Sequence, residues 1–145
     1  MQALDIMTRQ VETVPPDASL QQAAEAMERA GIGSLPVCQD RRLLGAITDR
    51  DIVVRGVATG ASPVDMLVRD CTSDDIAYVF EDEEVEAALK RMEALQVRRL
   101  AVLARQKNLV GIVSLGDIAA EPRATDNEHL GEALAEISQP SLPLK

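Results

Sequence analysis

Aromatic side chains are nearly absent from this 145-residue chain, which has no tryptophan, one tyrosine and one phenylalanine. Proteins that hold single-stranded nucleic acid stack bases on aromatic platforms, and Tyr78 with Phe80 is too little for one. Basic charge is also in deficit. Fifteen lysines and arginines face 24 acids, a formal net charge of −9, so the surface repels a phosphate backbone and duplex binding loses its driving force. Cysteine is confined to Cys38 and Cys71, in neither a CxxC nor a ladder spacing, and histidine to His129. A buried inert thiol is the expectation for both cysteines. No apolar run approaches the ~18 residues of a membrane span. The first residues, Met1 to Asp5, lack the basic and apolar segments of a secretory signal, so a soluble protein of a reducing cytoplasm is expected, with no nucleic-acid polymer and no membrane as partner.

What is present is a repeat. Asp82-Glu83-Glu84-Val85 lies 65 residues after Asp17-Ala18-Ser19-Leu20, and in that register Ala23 falls on Ala88, Met27 on Met92, Ile32 on Val97, Leu35 on Leu100 and Val37 on Val102. After one inserted residue the offset becomes 66, setting Gly45 on Gly111, Thr48 on Ser114, Asp51 on Asp117 and Ile52 on Ile118.

Each copy reads as strand, helix, strand, strand, helix, an α/β pattern. In the first, Val11 to Val14 is β-prone and ends at Pro15-Pro16; Asp17 is then an N-cap, Leu20, Ala23, Ala24 and Met27 lie at helical spacing, and Gly31 is the stop. The second copy repeats the stripe as Val85, Ala88, Leu89 and Met92. Strands are predicted at Leu35 to Cys38, Leu44 to Thr48, Leu100 to Leu103 and Leu109 to Val113, paired as hairpins. Helices follow from Asp49 to about Thr59 and from Leu115 to Ala120. Ser62-Pro63-Val64-Asp65 carries capping chemistry for a short linker helix. Thr125-Asp126-Asn127-Glu128 opens a tail helix whose face is Leu130, Ala133, Leu134 and Ile137, docking on its own module or on a second subunit; Ser141 to Lys145 frays. The domain reading is 3–60 for copy one, 61–67 for the linker, 68–120 for copy two and 121–145 for the tail. A copy of roughly 50 residues cannot cover its own sheet, so the two are expected to share an apolar interface.

The ordered motifs Asp5-Ile6-Met7-Thr8, Thr13-Val14-Pro15-Pro16-Asp17, Ile32-Gly33-Ser34-Leu35-Pro36-Val37 and Gly45-Ala46-Ile47-Thr48-Asp49-Arg50-Asp51-Ile52 are answered by Gln96-Val97-Arg98-Arg99-Leu100-Ala101-Val102 and Gly111-Ile112-Val113-Ser114-Leu115-Gly116-Asp117-Ile118. Together they resemble a tandem pair of CBS domains, a Bateman module, of the kind found in short stand-alone bacterial proteins. The resemblance covers residues 3 to 120 and implies a pseudo-two-fold pair with two clefts, often a homodimer. It also implies a regulatory module that binds AMP, ADP, ATP, S-adenosylmethionine or NAD and modulates a partner protein, with no cofactor required and no catalysis. Family contacts to ribose and phosphate transfer to Thr48, Asp51, Ser114 and Asp117. Those to adenine transfer to Thr13, Val14, Ser34 and Leu35, and in copy two to Tyr78, Val79, Arg99 and Leu100.

A hydroxyl at a helix start lies beside free N–H groups suited to an anion, and a carboxylate one turn in can accept from a ribose diol. The same residues are also capping boxes, worth about 1 kcal/mol of helix stability with no ligand. Copy two departs from copy one at Ala101 for Pro36 and at Leu115-Gly116 for Asp49-Arg50. Its first strand lies between Asp74-Asp75 and Glu81-Asp82-Glu83-Glu84, unfriendly to phosphate unless Arg98 and Arg99 offset them, so unequal sites are expected. His129 with Asp126 and Glu132 is the one helical grouping to weigh for a metal, and no metal site is assigned. The alternative function is a ligand-free dimerisation scaffold. An enzyme has no candidate residues here: there is no Walker loop and no serine–histidine pairing beyond the tail histidine.

Overall fold

The structure is a computed structural model that describes residues 1–72 and 76–140; Asp74-Asp75 and the stretch 141–145 lie outside the described residues. The fold is mixed α/β and divides into two compact units. The first-copy unit contains residues 11–72, 76 and 107–109, and the second-copy unit residues 1–10, 77–106 and 110–140.

In the first-copy unit, α1 (Leu20–Ala30) places Leu20, Ala23, Ala26 and Met27 inward, a 3.6-residue stripe that also makes Ala24 a surface residue. Gly31 ends it at φ 67°, in the left-handed region a glycine adopts at no steric cost. Strands β1 (Ser34–Gln39) and β2 (Arg42–Thr48) form an antiparallel hairpin closed by Asp40 (φ 51°) and Arg41 (φ 69°), the two-residue turn whose twist matches that of the strands. The chain then enters α2 (Asp49–Asp51), which continues as a π-helical turn over Ile52–Gly56 and a 3₁₀ turn over Val57–Thr59, and stops at Gly60 (φ 78°). Leu35, Val37, Ile47, Val68 and Cys71 join the α1 stripe in this unit's own core.

The second-copy unit carries the three-stranded sheet β3 (Tyr78–Phe80), β4 (Arg99–Leu103), β5 (Leu109–Ser114), with β3 parallel to β4. Helix α3 (Val85–Leu95) buries Val85, Ala88, Leu89 and Met92, and α4 (Leu115–Ala120) buries Leu115 and Ile118. Helix α5 (Asn127–Ile137) lies against α3 of the same unit, contributing Ala133 and Ile137 to the core. The Gln96 side chain ties it down, its Nε2 donating to Glu136 O at 3.2 Å and Gln139 O at 3.4 Å. The choice between docking on its own module and on a second subunit is thereby settled for the former, although Leu134, expected on the buried face, is 45% exposed.

Four local expectations are corrected. Val11 to Val14 is not a strand; only Val14 bridges, parallel, to Val37, whereas its equivalent β3 has three paired residues. Prolines are the cause: Ala101 donates its N–H to Ala77 O at 3.0 Å, and Pro36, at the matching position, has none to donate. Helix α1 is capped by Ser19 rather than Asp17, through Ser19 Oγ accepting from Gln22 N at 3.1 Å and Ser19 N donating to Gln22 Oε1 at 2.9 Å. The linker box at Ser62 makes a turn, with Asp65 N and Met66 N both donating to Ser62 O, and no helix follows over 61–67. At α5 the cap is Asp126, one residue beyond the expected hydroxyl, and Thr125 Oγ1 is buried without a hydrogen-bond partner.

The repeat also runs further toward the N-terminus than Asp17. Ala3 N donates to Glu83 O and Leu4 N to Glu81 O, while 65 residues later Val68 N donates to Ala18 O and Arg69 N to Pro16 O. Val85 N donates to Met1 O as Leu20 N does to Met66 O, and 3₁₀ turns form over Ala3–Asp5 and Val68–Asp70. Residues 1–10 therefore serve the second-copy unit as residues 66–72 serve the first. Thr8 pairs antiparallel with Ile112, with N–H to O distances of 2.8 and 3.0 Å, extending the sheet beyond β5.

Candidate functional site

Where β2 meets α2, Thr48 is extended (φ −113°, ψ 163°) and its hydroxyl faces the first helical turn. Asp51 N donates to Thr48 Oγ1 at 3.0 Å, and Thr48 N donates to Asp51 Oδ2 at 2.9 Å. At the end of β5 the arrangement recurs: Asp117 N to Ser114 Oγ is 3.0 Å and Ser114 N to Asp117 Oδ2 is 2.9 Å, with Ser114 at φ −113°, ψ 160°. All four residues are half-buried. In each box one carboxylate oxygen, Oδ2, holds the strand end; the other, Oδ1, is not used by the box, and at Asp51 it faces Arg55 Nε at 4.0 Å. Each box thus stabilises its helix by about 1 kcal/mol unaided and still presents an acceptor.

Backbone pairing fixes what surrounds each box. Ser34 lies directly opposite Thr48 in the β1–β2 register, and Asp49 N donates to Gly33 O at 2.9 Å. In copy two Leu115 N donates to Arg98 O at 2.8 Å, bringing the exposed Arg98 and Arg99 to the same corner. A Cβ at Gly33 would stand 2.7 Å from Oδ2 of the exposed Asp49, whose side chain would have to turn aside; in copy two Leu115 stands in place of Asp49 and Arg98 in place of Gly33.

The expected adenine contacts divide by burial. Thr13 and Tyr78 are exposed and Ser34 is half-buried. Leu35, Val79 and Leu100 are fully buried with side chains in their units' cores, so only their backbone is available to a ligand, and Val14 is buried beside a depression. That depression, about 470 Å³ and open to solvent, is lined by the segment 12–15 and one face of α1; it includes Thr13 and Val14 but not Ser34, Thr48 or Asp51.

Sequence reasoning missed Arg55. Its Nη1 donates to Thr72 O at 3.2 Å and Cys71 O at 3.5 Å, and its Nε lies 4.0 Å from Asp51 Oδ1. The available signal was the i, i+4 spacing from Asp51. The matching position in copy two is Glu121, which pairs with Arg123 instead. The acidic run of copy two is also neutralised locally, Glu83 by Arg91 at 3.3 Å and Asp82 by Arg105 at 2.9 Å. Arg105, whose hydrogen bonds hold the Asp82 carboxyl below its ordinary range, stacks 4.3 Å from the Phe80 ring centroid. Burial pushes both thiols up, with Asp70 and Asp51 adding at Cys71 and Arg55 opposing. Both cysteines are free, and among the described residues no grouping of three His, Cys, Asp or Glu could hold a metal ion. No described helix is long and apolar enough to cross a membrane.

The two boxes, one per copy in the same strand-to-helix turn, agree with the family comparison, in which the model for the CBS domain matches residues 3–57 and 68–124. The chain belongs to the CBS-domain family. It is 38% identical to the CBS domain-containing protein YhcV of Bacillus subtilis over 138 residues, 95% of this chain and 96% of that one. Hypoxic response protein 1 of Mycobacterium tuberculosis is 42% identical over 118 residues, 81% of this chain and 82% of its own length. A crystal structure of Hypoxic Response Protein I with two coordinated zinc ions matches with a TM-score of 0.77 at 39% identity, covering 83% of this chain and 98% of that one. The CBS domain protein PAE2072 of Pyrobaculum aerophilum, solved in complex with AMP, shares the fold at a TM-score of 0.74 and 20% identity, over 93% of this chain and 99% of that one.

Proposed function

We propose that this CBS pair is a regulatory module that binds an adenosine-containing nucleotide, AMP, ADP, ATP, S-adenosylmethionine or NAD, and passes its occupancy to a partner protein, without turning the ligand over. The observation that carries the reading is the duplicated box. Thr48 with Asp51 and Ser114 with Asp117 each leave one carboxylate oxygen beside a helix start, where a ribose diol can donate and a phosphate can meet backbone N–H groups. The AMP complex of PAE2072 supports the ligand class. A homodimer in the cytoplasm is part of the proposal. Thr13, Ser34, Tyr78 and Arg99 supply side chains toward the base, and Val14, Leu35, Val79 and Leu100 supply backbone.

The alternative, a ligand-free scaffold, draws on the same geometry, since both boxes are closed and stabilising without any ligand. Calorimetric titration and a thermal-shift panel over the five nucleotides discriminate. A ligand at about 100 times its Kd that binds only the folded state adds about 2.7 kcal/mol and raises the midpoint by about 5–10 °C. Asp51→Ala or Asp117→Ala removes the response of its own site. A flat panel favours the scaffold.

A further inference from the structure

The depression beside α1 has a counterpart in the second copy, and there it is filled by a guanidinium. Sixty-five residues after Thr13, Ala18 and Ala26 stand Tyr78, Glu83 and Arg91. Arg91 Nη1 donates to Tyr78 O at 2.8 Å and to Glu83 Oε2 at 3.3 Å, and Glu83 Oε2 also accepts from Phe80 N at 2.8 Å. A second guanidinium, Arg105, covers Phe80 and holds Asp82. In the first copy every one of these donors is gone. Ala26 offers nothing to the Thr13 carbonyl, Pro15 has no N–H where Phe80 has one, and Pro36 has none to give Glu12 O where Ala101 bonds Ala77 O at 3.0 Å. The register is secured by the bridges Val14 to Val37 and Val79 to Val102, and by helices α1 and α3, which span equivalent residues.

What remains in the first copy is a space of about 470 Å³ whose lining residues include two acids, Glu12 and Asp17, together with Thr13, the residue matching Tyr78, whose carbonyl Arg91 caps in the second copy. Arg29 is held at the rim, 3.5 Å from Glu12 Oε1 and two-thirds exposed, and the depression stays open with it in place. A planar cation with several N–H donors suits such a lining, and a phosphate does not. We propose that this depression is a receptor for a single guanidinium group supplied by a ligand or by another polypeptide chain, taking the place that Arg91 occupies in the second copy. Its lining includes neither Thr48 nor Asp51, but it shares Thr13 and Val14 with the base contacts proposed above, so the titration is run without nucleotide.

The test is a heteronuclear NMR titration of the full chain with N-acetyl-arginine amide, its neutral isostere N-acetyl-citrulline amide, and N-acetyl-lysine amide. The arginine compound is expected to shift amides of residues 12–18 and 22–29 saturably. Citrulline should bind about ten-fold or more weakly, because the charge-assisted hydrogen bonds are lost, and lysine should also bind more weakly. The double variant Ala18→Glu, Ala26→Arg, which installs the second copy's own filling, should abolish the shifts. Glu12→Gln with Asp17→Asn, both at exposed positions, should weaken binding without unfolding the chain. If the same amides move when the protein alone is concentrated, the guanidinium comes from a second copy; if they move only with added compound, it comes from outside. Equal shifts from all three compounds, no shift in either series, or shifts that persist in the Ala18→Glu, Ala26→Arg variant would overturn the proposal.

Discussion

Gly111→Ala tests the placement of the N-terminal segment. A Cβ at Gly111 would lie 2.7 Å from Met7 Sδ, 2.9 Å from Met7 Cγ and 2.8 Å from the Thr8 carbonyl oxygen. The methionine can rotate away, but the carbonyl cannot, because Ile112 N donates to it and Thr8 N donates to Ile112 O. Alanine must therefore break two ladder bonds, about 1 kcal/mol each, or overpack the strand at a cost of about 1–3 kcal/mol, so a loss of about 1–3 kcal/mol is expected. Urea unfolding gives the energy, and amide exchange at Thr8 and Ile112 locates it. Gly131→Ala is the control: it sits in α5 with nothing within 4 Å of a new Cβ and should stabilise by about 0.5–1 kcal/mol. A Gly111→Ala protein as stable as its parent, with Thr8 still protected, would show that residues 7–8 do not lie on β5.

Other outcomes are equally specific. Thr48→Ala and Ser114→Ala should each cost about 1 kcal/mol by chemical denaturation, in the absence of nucleotide, as a lost cap does. Leu35→Ala and Ile118→Ala, both fully buried, should each cost about 2–5 kcal/mol, in separate cores. At the start of α5, Asp126 accepts from His129 N at 2.7 Å and faces its Nδ1 at 2.8 Å, which holds the carboxyl below and lifts the imidazole above their ordinary ranges. The histidine's contribution to the start of α5 is complete below its unfolded pKa, about 6.5, and fades as pH rises through the elevated folded value; the aspartate's is complete above about 3.9 and fades as pH falls through its lowered value. An NMR titration of the His129 ring should show the elevated midpoint, and Asp126→Asn should lower it. Cys71, buried with its thiol pushed up, should be modified by a thiol reagent at neutral pH only on unfolding.

How much of this was legible depended on how local each cause is. The hairpin β1–β2, the α3 stripe and α4 follow from periodicity and turn residues alone, and they fall where the sequence places them. Ser19 displaces Asp17 as the cap because Leu20 N is already committed to Met66 O, a partner 46 residues away that no window around α1 contains. The single bridge at Val14 had a signal in Pro36, which reads as a family feature until its missing N–H is set against Ala101. The pairing of Met1 to Asp5 with Met66 to Asp70 was weakly written, in two methionines and two aspartates at the common offset. Of the site, the two capping boxes were fully legible, whereas Leu35, Val79 and Leu100 turn their side chains into the cores, a direction that residue type leaves open.

The interleaving at the N-terminus has a consequence for biosynthesis. Residues 1–10 are synthesised before the rest of either unit, yet the β5 backbone that receives Thr8 is made about a hundred residues later. The first-copy unit, with nearly all its residues in 11–72, can close early, while the second must wait for a sequence-distant partner, the sort of contact that slows folding. A bulky group fused ahead of Met1 should accordingly burden the half of the protein that is synthesised last and leave the half beside it in sequence undisturbed.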